Sequence, residues 1–311
     1  MVRRHAGGGE QRVTQSIDGS SYDESPVLFA AGNDSLFGMW TEPRGPRSGV
    51  AVTMVPGAGY LSSSHRNRMY VRLARALAAQ GHHVLRFDYH GVGESDGTVA
   101  GFSLDAPFTS DAEAAIRWVE AQGLTRHVLV GSCFGARTML AAAASVRDLR
   151  GVVLVSPPVR DFERGEETAI EWNASRLIRR LTERETMRGL LDAERRRVYR
   201  RFAATKVREL TSNRRGAGGN VSYTSPTFHA PLRDLVRRRV PVFLYFGTAD
   251  GLWQHFERAR EADLGPILHD AGDLVTVDVF EGELHNFANL ASQRALVESV
   301  PRWIAGALQE R

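Results

Sequence analysis

The stretch Gly131-Ser132-Cys133-Phe134-Gly135 constrains this chain more than any other five residues. It follows the apolar run His127-Val128-Leu129-Val130 and precedes the helix-like run Ala136 to Ser145. Glycine two residues to either side of a central residue lets a sharp strand-to-helix turn close, because neighbouring backbone comes in where a Cβ would sit. That pattern places Cys133, the only cysteine in 311 residues, at the tip of the turn as a nucleophile. Ser132 does not fit the tip, since the positions two away hold Val130 and Phe134. A free cysteine is otherwise most often a small buried hydrophobe, but that role does not call for paired glycines.

Around this turn the apolar pattern alternates. Val27 to Ala31 and Ser35 to Thr41, separated by Gly32-Asn33-Asp34, read as a hairpin. Short apolar runs at Gly49 to Val55, His83 to Phe87, Val128 to Val130 and Val152 to Val155 then alternate with helical patterns at His65 to Ala79, Asp111 to Gln122 and Thr138 to Val146. That order predicts an α/β protein with a mostly parallel central sheet flanked by helices. Between Val159 and Arg239 the strand signal stops and arginine-rich helical stretches replace it. Strands resume at Val242 to Phe246 and Leu274 to Phe280, and Gln293 to Leu308 reads as an amphipathic helix. The expected organisation is a disordered tail over 1–20, a core over 21–158 and 240–311, and a helical lid insertion over 159–239.

A single cysteine excludes an intramolecular disulfide, and no run approaches the ~20 apolar residues of a membrane span, so a cytoplasmic protein without a span is expected. Neither metal nor cofactor is expected. His82-His83 lacks ligand spacing, Gly57-Ala58-Gly59 has no Gly-Lys-Ser/Thr continuation, and Gly91-Val92-Gly93 runs into Glu94-Ser95-Asp96 without the glycine and helix of a dinucleotide fingerprint.

Phe87-Asp88-Tyr89-His90-Gly91-Val92-Gly93-Glu94-Ser95 is similar to the D-x-R-G-x-G-x-S loop that follows the fourth strand of α/β-hydrolases, with His90 in place of Arg and a structural role expected for it. With the elbow at Cys133, the chain resembles the α/β-hydrolase superfamily over residues 25 to 309. The resemblance implies the α/β-hydrolase fold and the chain order nucleophile, acid, base. Asp250 follows the strand Val242 to Phe246 and takes the acid position; its rivals are Asp278, inside a strand pattern, and Glu283, two residues before the base. His285, the only histidine beyond residue 270, takes the base position. The oxyanion hole falls to the backbone N–H of Phe134 and to that of Ala58, in a Pro56-Gly57-Ala58-Gly59-Tyr60 loop similar to the family's His-Gly-x loop.

Cysteine elbows of this kind are found in dienelactone hydrolases and polyhydroxyalkanoate synthases, and Ser62 to Arg68 resembles the hydrolases associated with exosortase systems. The expected function is hydrolysis of a small-molecule ester or thioester through an acyl-thioester on Cys133. Two alternatives stand beside it: acyl transfer from a carrier-protein or coenzyme A thioester to an alcohol, amine or thiol, and ligand reception without catalysis on the same fold. From Ser175 to Arg215 thirteen Arg and one Lys face five acids, a net +9. Such a surface suits an acyl-carrier protein or the phosphates of coenzyme A, or is simply a solvated arginine-rich face. No nucleic-acid-binding motif accompanies it, so nucleic acid is not an expected partner.

Overall fold

The computed structural model describes residues 21–99, 101, 103–161 and 222–309. Its strands are β1 (Tyr22–Ala31), β2 (Asp34–Pro43), β3 (Val50–Val55), β4 (His83–Phe87), β5 (Arg126–Ser132), β6 (Asp148–Val155), β7 (Val242–Gly247) and β8 (Val275–Phe280). They form one sheet in the order β1-β2-β4-β3-β5-β6-β7-β8. β1 and β2 pair antiparallel from Tyr22↔Pro43 to Ala31↔Asp34, so the turn is only Gly32-Asn33, and Gly32 supplies the positive φ (64°) that so tight a hairpin demands. β2 runs antiparallel to β4, and every pair from β4 to β8 is parallel.

The helices are α1 (Met69–Ala79), α2 (Thr109–Ala121), α3 (Phe134–Ala142), α4 (Pro226–Arg237), α5 (Gly251–Glu261), α6 (Gly265–Ala271) and α7 (Leu290–Gln309). Alternation sorts the central strands between two faces. Val50, Val52 and Met54 of β3, Val128 and Val130 of β5, Val153 and Val155 of β6, and Phe243 and Tyr245 of β7 share one core with Met69, Tyr70, Leu73 and Leu77 of α1 and Leu296, Val300 and Ile304 of α7. Trp303 stacks on Phe243 at 5.4 Å, and Gly151 makes the space for it, since a Cβ there would lie 3.1 Å from the indole. Each of these large side chains contributes about 1.5–3 kcal/mol by leaving water. The chain therefore needs helices on both faces of the sheet, and α2, α3 and α4 contact one another in series.

Helix α1 begins at Met69, four residues later than the sequence pattern predicts. His65, Asn67 and Arg68 have positive φ (59°, 55° and 55°), which no helix accommodates. Contacts divide the chain into two units, one containing residues through Val159 and from Thr224, the other Arg160–Tyr223. Helix α4 belongs to the first unit: Ser225 caps it, and Phe228, Leu232 and Leu235 are buried. The core thus resumes at Thr224, ahead of the expected residue 240. The tail over 1–20 and the arginine-rich Ser175–Arg215 lie outside the described residues. Among the described residues no helix is long and apolar enough to cross a membrane.

Candidate active site

Strand β5 ends at Ser132 and α3 starts at Phe134, leaving Cys133 alone to make the turn at φ 47°, ψ −118°. A non-glycine residue in that region is strained and persists only where its surroundings over-determine it. The determinants are local. Cys133 N–H donates to Val155 O at 2.9 Å, and its carbonyl accepts the N–H of Ala136 at 3.0 Å. A Cβ on Gly131 would sit 2.7 Å from Ala136 N, and one on Gly135 would sit 2.8 Å from Val55 O. Both glycines are therefore required. Cys133 is partly exposed at the N-terminus of α3, where the helix dipole favours a thiolate. Beneath this first turn, Phe134 meets the rings of Tyr89 and Phe108 edge-on at 5.9 and 5.1 Å.

Asp250 follows β7 and stands at the N-cap position of α5 with an extended backbone, its side chain making no bond to that helix's first turn. It is 5 % exposed. Its Oδ2 accepts the backbone N–H groups of His285 (2.9 Å), Gly247 (3.2 Å) and Leu284 (3.3 Å), and the hydroxyl of Ser156 (3.3 Å). Burial pushes the carboxyl up to about 6 against the lowering effect of these four donors. Gly247 admits this crowding, since a Cβ there would fall 2.7 Å from Asp250 Oδ2. The structure thus brings the Asp250 carboxylate onto the backbone of the His285 loop, which connects β8 to α7. Of the rivals, Asp278 is exposed on β8 with its carboxylate on Val279 N–H, and Glu283, on the same loop as His285, accepts from Asn286 Nδ2 at 2.7 Å.

Phe134 and Ala58 are the residues expected to supply oxyanion donors. Phe134 N–H donates to Gly57 O at 2.9 Å, so that donor is already engaged by the Pro56-to-Tyr60 loop. A Cβ on Gly57 would lie 2.9 Å from Ser132 Oγ and 3.2 Å from His65 Nε2, so this loop rests directly on those two side chains.

Sequence reasoning missed His65, Tyr70 and Ser156, and weighed Ser132 only as a nucleophile. Tyr70 Oη donates to Ser132 Oγ at 3.1 Å, and His65 Nε2 lies 3.5 Å from the same oxygen. Burial pushes the Tyr70 phenol up, and the negative charge of a Cys133 thiolate pushes it further. Ser156, at φ 44° just after β6, was legible only as part of Val-Ser-Pro-Pro. His90 fills its expected structural role: its backbone N–H and Nδ1 both meet Asp111 Oδ2, at 2.9 and 2.7 Å. His82 pairs with Ser48 Oγ at 2.8 Å and His83 stacks on Trp40, and no group of three metal-ligating side chains occurs among the described residues.

Solved structures with this architecture include an esterase from Pyrococcus furiosus (TM-score 0.59, 15 % identity, covering 97 % of this chain and 99 % of that one). A proline iminopeptidase from Mycobacterium smegmatis is similar at TM-score 0.58 and 16 % identity, over 92 % of this chain and 99 % of its own. A dienelactone hydrolase from Anabaena variabilis is similar at TM-score 0.55 and 14 % identity, over 92 % and 98 %. At these identities the likeness is one of fold. No curated protein matches the chain. The model of the alpha/beta hydrolase family matches residues 54–296, a span that takes in the elbow at Cys133 and the loops of Asp250 and His285, and the chain belongs to that family.

Proposed function

We propose that the chain hydrolyses an ester or thioester through an acyl-thioester on Cys133, with His285 as general base and Asp250 as the carboxylate that orients it. The observation that carries this reading is the backbone of Cys133, a strained single-residue turn that presents a thiol at the head of α3 between two obligatory glycines. Such geometry has a stability cost that a merely buried cysteine would not require. The binding of Asp250 to the backbone N–H of His285 supports the assignment of the acid over Asp278 and Glu283. The hydrolase names of the similar structures agree with it.

In the first half-reaction His285 takes the thiol proton and the sulfur attacks the substrate carbonyl carbon, leaving negative charge on its oxygen. Collapse expels the alcohol or thiol, which leaves with the proton held by His285. Water then attacks the acyl-thioester, giving a proton to His285, and expulsion of Cys133 sulfur releases the acid. Stabilising the oxyanion requires N–H donors that are not otherwise engaged. Gly57 O accepts Phe134 N–H in this structure; turning over the Gly57–Ala58 peptide would free that donor and bring Ala58 N–H to the side that the carbonyl leaves.

Turnover of p-nitrophenyl esters and acyl thioesters of graded length tests the reading. The wild type should turn over at least one, Cys133→Ala none, and one equivalent of iodoacetamide per chain should abolish the activity. Full activity after complete alkylation would exclude it. Faster loss of the acyl group to an added amine or alcohol than to water would redefine the enzyme as a transferase.

A further inference from the structure

Beside Cys133 and His285 the site holds a second imidazole, His65, which the reaction above does not use. His65 lies between the segments that carry the two reacting groups. Its Nε2 is 3.5 Å from Ser132 Oγ, on the residue before Cys133. Its ring meets Phe287, two residues after His285, edge-on at 5.2 Å, and stacks on Tyr70 at 5.1 Å. Arg66 N–H donates to Nδ1 at 2.7 Å, so the proton of the neutral ring is on Nε2 and faces Ser132 Oγ. The titratable and charged groups facing the ring are Tyr70, Arg66 and His285. Burial first, then the charges of Arg66 and His285, hold His65 down at about 4, so it is neutral near pH 7.

The backbone gives an independent indication. His65, Asn67, Arg68 and Phe287 all have positive φ, between 49° and 59°, although none is glycine. Strain of this kind, concentrated in two facing loops, needs external restraint. It is supplied across the gap, where Asn67 Nδ2 donates to Phe287 O at 2.9 Å and Arg66 donates to Asn286 Oδ1 at 3.0 Å, and from α7, where Gln293 Nε2 also donates to Phe287 O at 2.9 Å.

We propose that His65 is a positioning residue for the chemistry at Cys133: a neutral imidazole spanning Ser132 and Phe287 that sets the spacing between the Cys133 turn and the His285 loop. The inference rests on the proposed roles of Cys133 and His285. Neutrality matters to the role, because a charge on His65 would oppose a protonated His285 and weaken its pairing with a Cys133 thiolate. A neutral Nε2–H donor holds Ser132 without that penalty.

The test compares His65→Gln, whose amide nitrogen reaches about as far as Nε2, with the shorter His65→Asn, both polar enough to occupy a half-buried turn. Iodoacetamide alkylation of Cys133 is followed from pH 5 to 10, alongside kcat and KM for p-nitrophenyl acetate. His65→Asn should alkylate about tenfold more slowly than wild type at pH 7 but equally fast at pH 10, where every thiol is ionised and equal rates show an intact fold. Its kcat should fall about 10–100-fold with KM little changed. His65→Gln should recover most of both. Wild-type alkylation and kcat in His65→Asn would overturn the inference, as would a rise in KM alone, or loss of the acidic limb of the pH profile in His65→Gln, which would make His65 itself the titrating base. A wild type whose thiol titrates as a free cysteine would instead refute the proposed reaction, so the two failures are distinguishable.

Discussion

Replacing Asp250 with asparagine should change how the stability of the protein depends on pH. The carboxyl is 5 % exposed, and its burial raises it from 3.8 to about 6. A rise of that size is worth about 3 kcal/mol between the two protonation states. Because the folded value lies above the unfolded one, the native state binds the proton more tightly. The resulting stabilisation is fully present below pH 4 and is lost as the pH rises through about 6. Asparagine has no such proton to lose. The stability of Asp250→Asn minus that of the wild type should therefore climb by about 2 kcal/mol from pH 4 to pH 7, most of the full difference. Urea unfolding of both proteins at pH 4, 5, 6 and 7 measures the difference, with other titrating groups largely cancelling. A flat difference, or one that falls with pH, would show that Asp250 does not carry a raised pKa, and the buried acid would have to be assigned again. Activity should move oppositely, with the variant impaired at pH 7 because the imidazole loses its orienting charge.

Removing the imidazole in His285→Ala should cost about 10²–10⁴ in kcat/KM, the range of general acid–base catalysis, while a loss below fivefold in ester turnover would assign the base elsewhere. Gly135→Ala should destabilise the fold by about 1–3 kcal/mol in urea unfolding, because its Cβ would meet Val55 O at 2.8 Å. An unchanged midpoint would contradict the close packing of α3 on the β3 loop. A crystal structure with an aldehyde bound as a hemithioacetal on Cys133 should show Gly57 O withdrawn from Phe134 N–H and both Phe134 and Ala58 N–H on the new oxygen. An oxygen bound while Gly57 O still accepts from Phe134 would rule out the peptide rotation.

Cys133 was legible from its own surroundings, an apolar run followed by a residue flanked two positions away by glycines. Asp250 and His285 were reached through the resemblance to the α/β-hydrolase superfamily, by their order after the strands that precede them. His65 was hidden because its neighbours mimic a helix. Residues 65–68 carry side chains that suit a first helical turn, and positive φ at His65 and Arg68 leaves no mark in composition. Helix α4 was absorbed into the insertion because Arg233, Arg237, Arg238 and Arg239 continue the arginine-rich pattern of the preceding segment. Its apolar face of Phe228, Leu232 and Leu235, and the cap at Ser225 before Pro226, were the available signals that it belongs to the core. The engagement of Phe134 N–H by Gly57 O has no sequence signal, because it depends on the rotation of one peptide and involves no side chain.

The central claim is that acyl groups pass through Cys133. Intact mass spectrometry of the protein, quenched in acid within seconds of mixing with p-nitrophenyl acetate or an acetyl thioester, tests it most directly. One acetyl group should appear, map by peptide digestion to Cys133, be absent in Cys133→Ala and persist longer in His285→Ala than in the wild type. An acetyl group on Ser132, or turnover by the Cys133→Ala protein at the wild-type rate, would contradict the account.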